Sequence, residues 1–182
     1  MDDTNTDEIR RVMLDIETLG LEPGVAILSI GAVEFGPDGL GETFDRSVSL
    51  SSCQEAGLTI DAGTLEWWLE QEDAAREVLT GGDRLGRVLG EFRMFYGDAD
   101  EIWAYSPQFD CAILSHAFEA FDEAPPWTYR DERDCRTLAS LPIWPDLEQD
   151  GVEHDALDDA IYQARQTVEV LRSLRTPPEA SR

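Results

Sequence analysis

The sequence predicts an α/β domain, and three observations predict it. Apolar stretches of strand length follow one another across short turns between residues 11 and 50. Two longer segments, around 85–96 and 157–171, repeat apolar residues at the i, i+3, i+4, i+7 spacing of a helix with one buried face. Between them a short apolar stretch ends at Ser106-Pro107, a capping residue followed by proline at a first helical position. Strands followed by helices in this way build a sheet covered by helices.

The first strand, Arg11 to Glu17, is an apolar run that ends in Asp15-Ile16-Glu17-Thr18. Residues i and i+2 of a strand share a face, so Asp15 and Glu17 project side by side. At about 4 Å and an effective dielectric near 20, two such charges repel by roughly 4 kcal/mol. A strand end that keeps both either shares a proton between them or binds a cation. Val25 to Phe35 reads as the second strand, Gly36-Pro37-Asp38-Gly39 as a turn, and Glu42 to Leu50 as the third strand. Short turns between the three make an antiparallel meander.

Residues 61–79 are expected to be helical, with Leu65, Trp68, Leu69 and Glu72 on one face and Gly81-Gly82 beyond the end. From Asp83, the stripe Leu85, Val88, Leu89, Phe92, Phe95 and Tyr96 marks an amphipathic helix. Glu101 to Tyr105 is a short strand, and the helix entered at Ser106-Pro107 runs through Phe121 with Asp110 near its first turn. Pro125-Pro126 breaks the chain, Tyr129 to Arg136 holds a short strand or a loop, and a loop rich in proline and acids runs from Pro142 to Glu153. The last helix begins at His154. Asp155 and Asp158 stand there at capping-box spacing, and Leu157, Ile161, Ala164, Val168 and Leu171 form its buried stripe. The expected organisation is a flexible acidic N-terminus over 1–10, one domain over 11–175 and a tail over 176–182.

A hydrophobic content of 42% with five Trp and seven Phe suits a packed globule. No apolar run reaches membrane-spanning length and the first ten residues lack the pattern of a signal peptide, so the expectation is a soluble cytoplasmic protein. Cys53, Cys111 and Cys135 form no C-x-x-C pair and read as reduced thiols rather than a zinc site. The formal charge is −25, from 39 acids against 14 bases, and every base is Arg. The acids are spread along the whole chain, which argues against an acidic tail. It suits a halophilic protein, since at about 1 M salt the Debye length falls to about 3 Å and self-repulsion is screened.

With acids this common, position decides which of them matter. D-x-E occurs twice: Asp146 with Glu148 lies in the proline-flanked loop, whereas Asp15 with Glu17 ends a buried strand, where charge is costly unless it is used. Asp110 follows a strand–cap–helix junction, and ligands of α/β sheets sit beyond the carboxyl ends of strands. Asp159 and His154 stand at the start of the last helix, where a solvated acid and a flanking histidine are the plain alternatives. The other histidine, His116, lies mid-helix without an acidic pair.

Asp15-Ile16-Glu17-Thr18, Ser106-Pro107-Gln108-Phe109-Asp110 and His154-Asp155-Ala156-Leu157-Asp158-Asp159 together resemble the motifs of the DEDDh 3′–5′ exonucleases of the ribonuclease H-like superfamily. Leu28–Val33, Thr64–Trp68, Arg133–Thr137 and Ala160–Ala164 are similar to the branch of the phage-type exonucleases and a mycobacterial 3′–5′ exoribonuclease. The resemblance covers about residues 11–172. It implies a ribonuclease H-like fold with a five-stranded mixed sheet, three antiparallel strands and then two parallel, flanked by helices. It implies Asp15, Glu17, Asp110 and Asp159 as catalytic carboxylates holding two Mg²⁺ or Mn²⁺ ions, oxygen-seeking cations that can clamp a phosphodiester displacement. It implies His154 as the catalytic general base, a role histidine suits near neutral pH. Thr18, Leu19, Phe109, Trp68 and Arg133 are the expected substrate contacts. For Arg133, a structural ion network with Asp134 and Arg136 is the competing reading, and of Trp67 and Trp68 one belongs to the core. Within the run Asp155, Asp158, Asp159, the family spacing selects Asp159.

The implied activity is removal of nucleoside 5′-monophosphates from the 3′ end of RNA or single-stranded DNA, RNA being favoured by the branch alone. The superfamily often dimerises, so a homodimer is a further implied partner. No basic patch is visible, although nucleic-acid binding usually leaves one. Two divalent ions would supply positive charge locally, and only the last nucleotides need to be gripped. A catalytically idle acidic mimic on the same fold and a phosphodiesterase of dinucleotides are the alternatives.

Overall fold

The computed structural model describes residues 9–71, 76–152 and 154–175. The tail over 176–182 and the first eight residues of the acidic N-terminus lie outside them. Five strands, β1 (Arg11–Thr18), β2 (Ile27–Gly36), β3 (Gly39–Ser47), β4 (Glu101–Ala104) and β5 (Glu132–Asp134), form one sheet in the order β3-β2-β1-β4-β5. β1, β2 and β3 are antiparallel neighbours, while β4 lies parallel to β1 and β5 parallel to β4. The helices are α1 (Leu50–Glu55), α2 (Ala62–Leu69), α3 (Leu85–Tyr96), α4 (Asp110–Glu119), α5 (Cys135–Ala139) and α6 (Ala156–Arg175), with a 3₁₀ turn at Glu77–Leu79. None of the described helices is long and apolar enough to cross a membrane.

Alternation along β1 sends its side chains to two different cores. Val12, Leu14 and Ile16 join Ile30, Trp68, Phe92 and Leu114 on one side of the sheet. Met13 joins Val33, Phe35 and Trp103 on the other, where Ala160, Ala164 and Val168 of α6 cover them. Asp15 and Glu17 continue the Met13 row, so they lie on the face that α6 crosses.

Four sequence expectations shift. The hairpin pairs Gly36 with Gly39, so β3 starts earlier than Glu42 and ends at Ser47. Leu50 then opens α1, which the alternating pattern disguised as strand. Ser52 and Cys53 donate their N–H groups to the Ser49 carbonyl, and the Ser52 hydroxyl accepts from Leu85 N at 2.9 Å, tying α1 to the start of α3. The helix expected over 61–79 is α2, capped by Asp61 accepting from Thr64 N, followed by the separate turn at Glu77–Leu79; residues 72–75 between them are outside the described set. The helix expected from Pro107 to Phe121 is α4, which begins at Asp110 and ends at Glu119. A turn precedes it, in which Phe109 N and Asp110 N donate to the Ser106 carbonyl at 2.7 and 3.0 Å. The Ser106 hydroxyl accepts from Arg136 instead of capping the helix.

Gly31 fixes how close α6 can come. A Cβ at this position would lie 2.1 Å from Ala156 C and 2.2 Å from Leu157 N. These are backbone atoms that cannot swing aside. Gly31→Ala is therefore expected to lift the first turn of α6, costing about 2–4 kcal/mol of stability. It should also lower exonuclease turnover at least about tenfold, because His154 and Asp159 move with that turn. Chemical denaturation and a turnover assay check both effects, and a variant with native stability would show that the approach is not tight.

Candidate active site

The acids converge because of strand order and a close helix. Across the β1–β2 ladder, Asp15 faces Gly31 and Glu17 faces Ser29. Neither partner has the bulk to cover the carboxylates, and the space above them is left to α6. β4 runs parallel beside β1, so the chain leaving β4 brings Asp110, the first residue of α4, to the same sheet end. α6 supplies Asp159 in its first turn and Gln163 one turn later.

Glu17, His154 and Asp159 each present a ligand atom within 4.8 Å of the others. Gln163 Nε2 donates to Asp15 Oδ1 at 2.8 Å, and the Gln149 amide donates to Asp159. Asp155 caps α6 by accepting from Leu157 N at 3.1 Å and Asp158 N at 3.0 Å. Asp158 Oδ2 accepts from Val152 N at 2.8 Å, so it closes the preceding turn and is turned away from Asp159's work. His154 sits in that turn with φ 66°, a left-handed conformation that histidine adopts more readily than most residues. Its ring meets the rings of Trp67 at 5.0 Å and Trp68 at 6.1 Å, edge to face.

Packed together, the carboxyls resist ionisation. Burial holds Asp15 well above the usual carboxylate range, and Asp110, Glu17 and Asp159 push it further. Glu17 is pushed up to about 9, by burial first and then by Asp159 and Asp110. Asp110, 4% exposed, is raised to about 7 by burial, against the backbone N–H groups of Ser106, Asp110 and Ile16 that favour its charged form. Burial raises Asp159 as well. This donor set fits hard divalent cations. Its oxygen atoms repel one another at neutral pH, and bound positive charge relieves that repulsion.

Beside the acids lies a cleft of about 530 Å³ whose lining includes Glu17, Thr18, Leu21, Asp61, Trp67 and Phe109. Thr18 is buried, its hydroxyl donating to the Gly20 carbonyl and its carbonyl accepting from Trp68 Nε1 at 3.0 Å. Three of the expected substrate contacts are also engaged in packing or structural bonds, although Trp68 stands in the cleft's lining. Leu19 is 0% exposed and belongs to the core, while Leu21, 73% exposed, lines the cleft. Trp68 is 1% exposed and its indole N–H is committed, so the open ring is that of Trp67 at 41%. Leu69, expected on the same face as Trp68, is 55% exposed, so of that stripe Trp68 is the fully buried member. Arg133 donates to Glu101 and to the carbonyls of Arg130 and Glu132, so its fork is occupied by structure. Asp134 caps α5 through Thr137 N. Gln163 and Gln149 join the site although neither belongs to its acid and histidine motifs. Gln163 stands four residues after Asp159, one helical turn along the same face, whereas nothing marks Gln149 within its loop. Trp67→Ala is expected to raise KM about 5- to 20-fold with a smaller loss in kcat, since an open aromatic platform is worth about 1–3 kcal/mol per stacked base. Trp68→Ala is expected to act on stability instead, and steady-state kinetics with thermal melts separate the two.

A sheet of this order, with four carboxylates gathered at the end of its central parallel pair and a histidine beside them, defines a ribonuclease H-like exonuclease fold. The chain belongs to the Rv2179c-like family, whose model, described as a 3′–5′ exoribonuclease domain, matches residues 10–171. It is accordingly a 3′–5′ exonuclease. Among solved structures it is similar to the nuclease domain of 3′hExo, a DEDDh family member bound to rAMP, with TM-score 0.66 and 12% identity over 93% of this chain and 95% of that one. It is also similar to E. coli Exonuclease I in complex with an oligonucleotide, with TM-score 0.64 and 16% identity over 90% of this chain and 40% of that one. At these identities the likeness speaks for the fold. No curated protein matches the chain.

Proposed function

We propose that the protein shortens single-stranded RNA from its 3′ end, releasing nucleoside 5′-monophosphates with the help of two Mg²⁺ or Mn²⁺ ions. The observation that carries the reading is the convergence of Glu17, Asp159 and His154 within 4.8 Å, with Asp110 close enough to act on Glu17 and with Asp110, Glu17 and Asp159 all acting on Asp15. Asp15, Glu17, Asp110 and Asp159 would hold the ions. When bound, the ions supply an activated water and neutralise charge on the attacked phosphate. His154 takes the proton of the attacking water, and the Trp67 edge fixes the imidazole plane. Gln163 and Gln149 orient the Asp15 and Asp159 carboxylates. The open cleft of Trp67, Phe109 and Thr18 receives the terminal nucleotide.

RNA is favoured by the family's description. DNA is the second reading, because the Exonuclease I likeness is to a complex with a dA oligonucleotide. The all-Arg, −25 composition supports work in a salt-rich cytoplasm. The test is digestion of 5′-labelled RNA and DNA oligomers at molar KCl with Mg²⁺ or Mn²⁺. Stepwise shortening of RNA ahead of DNA is expected, and no shortening of either would overturn the proposal.

The acid phasing has its own test. Asp158→Ala loses the hydrogen bond from Val152 N and is expected to cost about 1 kcal/mol of stability while leaving turnover within about threefold. Asp159→Ala is expected to remove turnover. The reverse pattern in the same assay would transfer the role to Asp158.

A further inference from the structure

The sheet face that carries Asp15 and Glu17 continues beyond β1. Glu17 faces Ser29 of β2 and Ser29 faces Ser47 of β3; one row along, Asp15 faces Gly31 and Gly31 faces Asp45. Directly opposed residues share a face. Ser29, Ser47 and Asp45 thus lie on the same surface as the acid pair, one and two strands away. α6 crosses that surface above Gly31, close enough to touch a Cβ there. A second hollow, of about 370 Å³, has Ser29, Asp45, Ser47, Glu77, His154 and Asp155 in its lining.

Two independent features of this hollow call for a bound cation. The first is charge. Asp45, Glu77 and Asp155 all line it, and the Asp45 carboxyl is raised by burial and then by Asp155, with Arg46 opposing. Arg46 itself donates to Glu91 and to the Asp45 carbonyl, so its fork is directed away from the carboxylate. The second is Ser29. It is 5% exposed, and its buried hydroxyl has no hydrogen-bond partner among the described residues. Buried polar atoms are rarely left so. A neutral water would satisfy the hydroxyl but bring no positive charge to Asp45, Glu77 and Asp155.

The spacing of the donors selects the kind of cation. Among the described residues, only Glu17, His154 and Asp159 bring three ligand atoms within 4.8 Å of one another, so the acids of this hollow do not form a chelate for a bare ion. Mg²⁺ keeps several of its waters and is commonly held through one or two carboxylates, which suits dispersed oxygens in a roomy polar cavity. We infer that this hollow binds a divalent cation with much of its hydration shell, held by Asp45 and Asp155 through its waters and by the Ser29 hydroxyl. The site adjoins the catalytic carboxylates, with Ser29 opposite Glu17 and His154 in its lining, and takes none of those carboxylates as ligands. It would place positive charge behind His154 in a chain that carries no basic patch.

The test uses Mn²⁺ as probe. Crystals of the full chain soaked in MnCl₂ are expected to show an anomalous peak between Ser29, Asp45 and Asp155, in the wild type and equally in Asp15→Asn. The peak should vanish in a Ser29→Ala, Asp45→Asn double variant. In solution at molar KCl, Mn²⁺ counted by electron paramagnetic resonance should fall by one ion per chain in that variant. Should the double variant fail to fold, Asp45→Asn alone, which keeps the side-chain shape, decides. Absence of the peak in the wild type, a peak that survives in the variant, or occupancy by Tl⁺ but not Mn²⁺ would each overturn the assignment.

Discussion

Replacing Asp15 by asparagine is expected to abolish exonuclease activity and, in the same molecule, to raise the melting temperature of the metal-free protein. The two effects have one cause. Asp15 is crowded by Asp110, Glu17 and Asp159, and among the described residues Gln163 is the side chain donating to it, so the metal-free fold stores repulsion that bound cations would remove. Asparagine removes the charge and keeps the shape. A gain of about 2 kcal/mol, or about 4–8 °C for a chain of this size, is the expected scale. Turnover should fall about 10⁴-fold or more, because the carboxylate between the other three is lost.

The sign of the pH dependence follows from the same groups. Unfolded carboxyls ionise near pH 4, whereas folded Asp110 holds its proton to about 7 and Glu17 to about 9. Between those limits the metal-free native state binds more protons than the unfolded chain, so its stability falls as pH rises from about 4 to 9. Mn²⁺ should therefore raise the melting temperature more at pH 8 than at pH 5, and Asp15→Asn should flatten the metal-free slope. Thermal melts over that range check this. A metal-free wild type that gains stability with rising pH would show that the acids are not held together as described. Molar salt weakens repulsion between surface charges far more than between these buried ones, so the slope should persist in KCl.

What the sequence reveals about this site depends on distance along the chain. Asp15 and Glu17 are legible because they interrupt an apolar strand at its end, and Asp110 because it follows a strand–turn–helix junction. Which of Trp67 and Trp68 is core is not legible from the stripe, since Leu69 on the same face is 55% exposed, whereas Gln163 stands at helical spacing to Asp159. Ser29 was not legible in the same way. Nothing in Leu28-Ser29-Ile30 shows that β1 and β3 flank it in a register that lines Ser29 up with Glu17 and Ser47. Gly31 shows the same limit, since its need for a bare Cα arises from the first turn of α6, more than 120 residues away. Short elements suffered most. α1 spans six residues and is held by Ser52 accepting from Leu85, a contact no local pattern announces.

His154→Ala is expected to lower turnover about 10²- to 10⁴-fold while leaving KM and Mn²⁺ affinity within about threefold. Proximity alone allows two roles, because His154 lies within ligand distance of both Glu17 and Asp159. As a ligand it would take part in holding the ion, and its loss would weaken Mn²⁺ binding together with turnover. As a base it acts only as the water is deprotonated, so kcat falls alone. The surroundings favour the base. The four carboxylates already provide the hard oxygen donors that Mg²⁺ prefers to imidazole nitrogen, and the rings of Trp67 and Trp68 hold the imidazole edge to face beside the cleft. His154→Asn separates chemistry from backbone strain, since asparagine also tolerates φ 66°. It should melt with the wild type and turn over with the alanine variant. A tenfold or larger loss of Mn²⁺ affinity in either variant would move His154 from the proton to the metal.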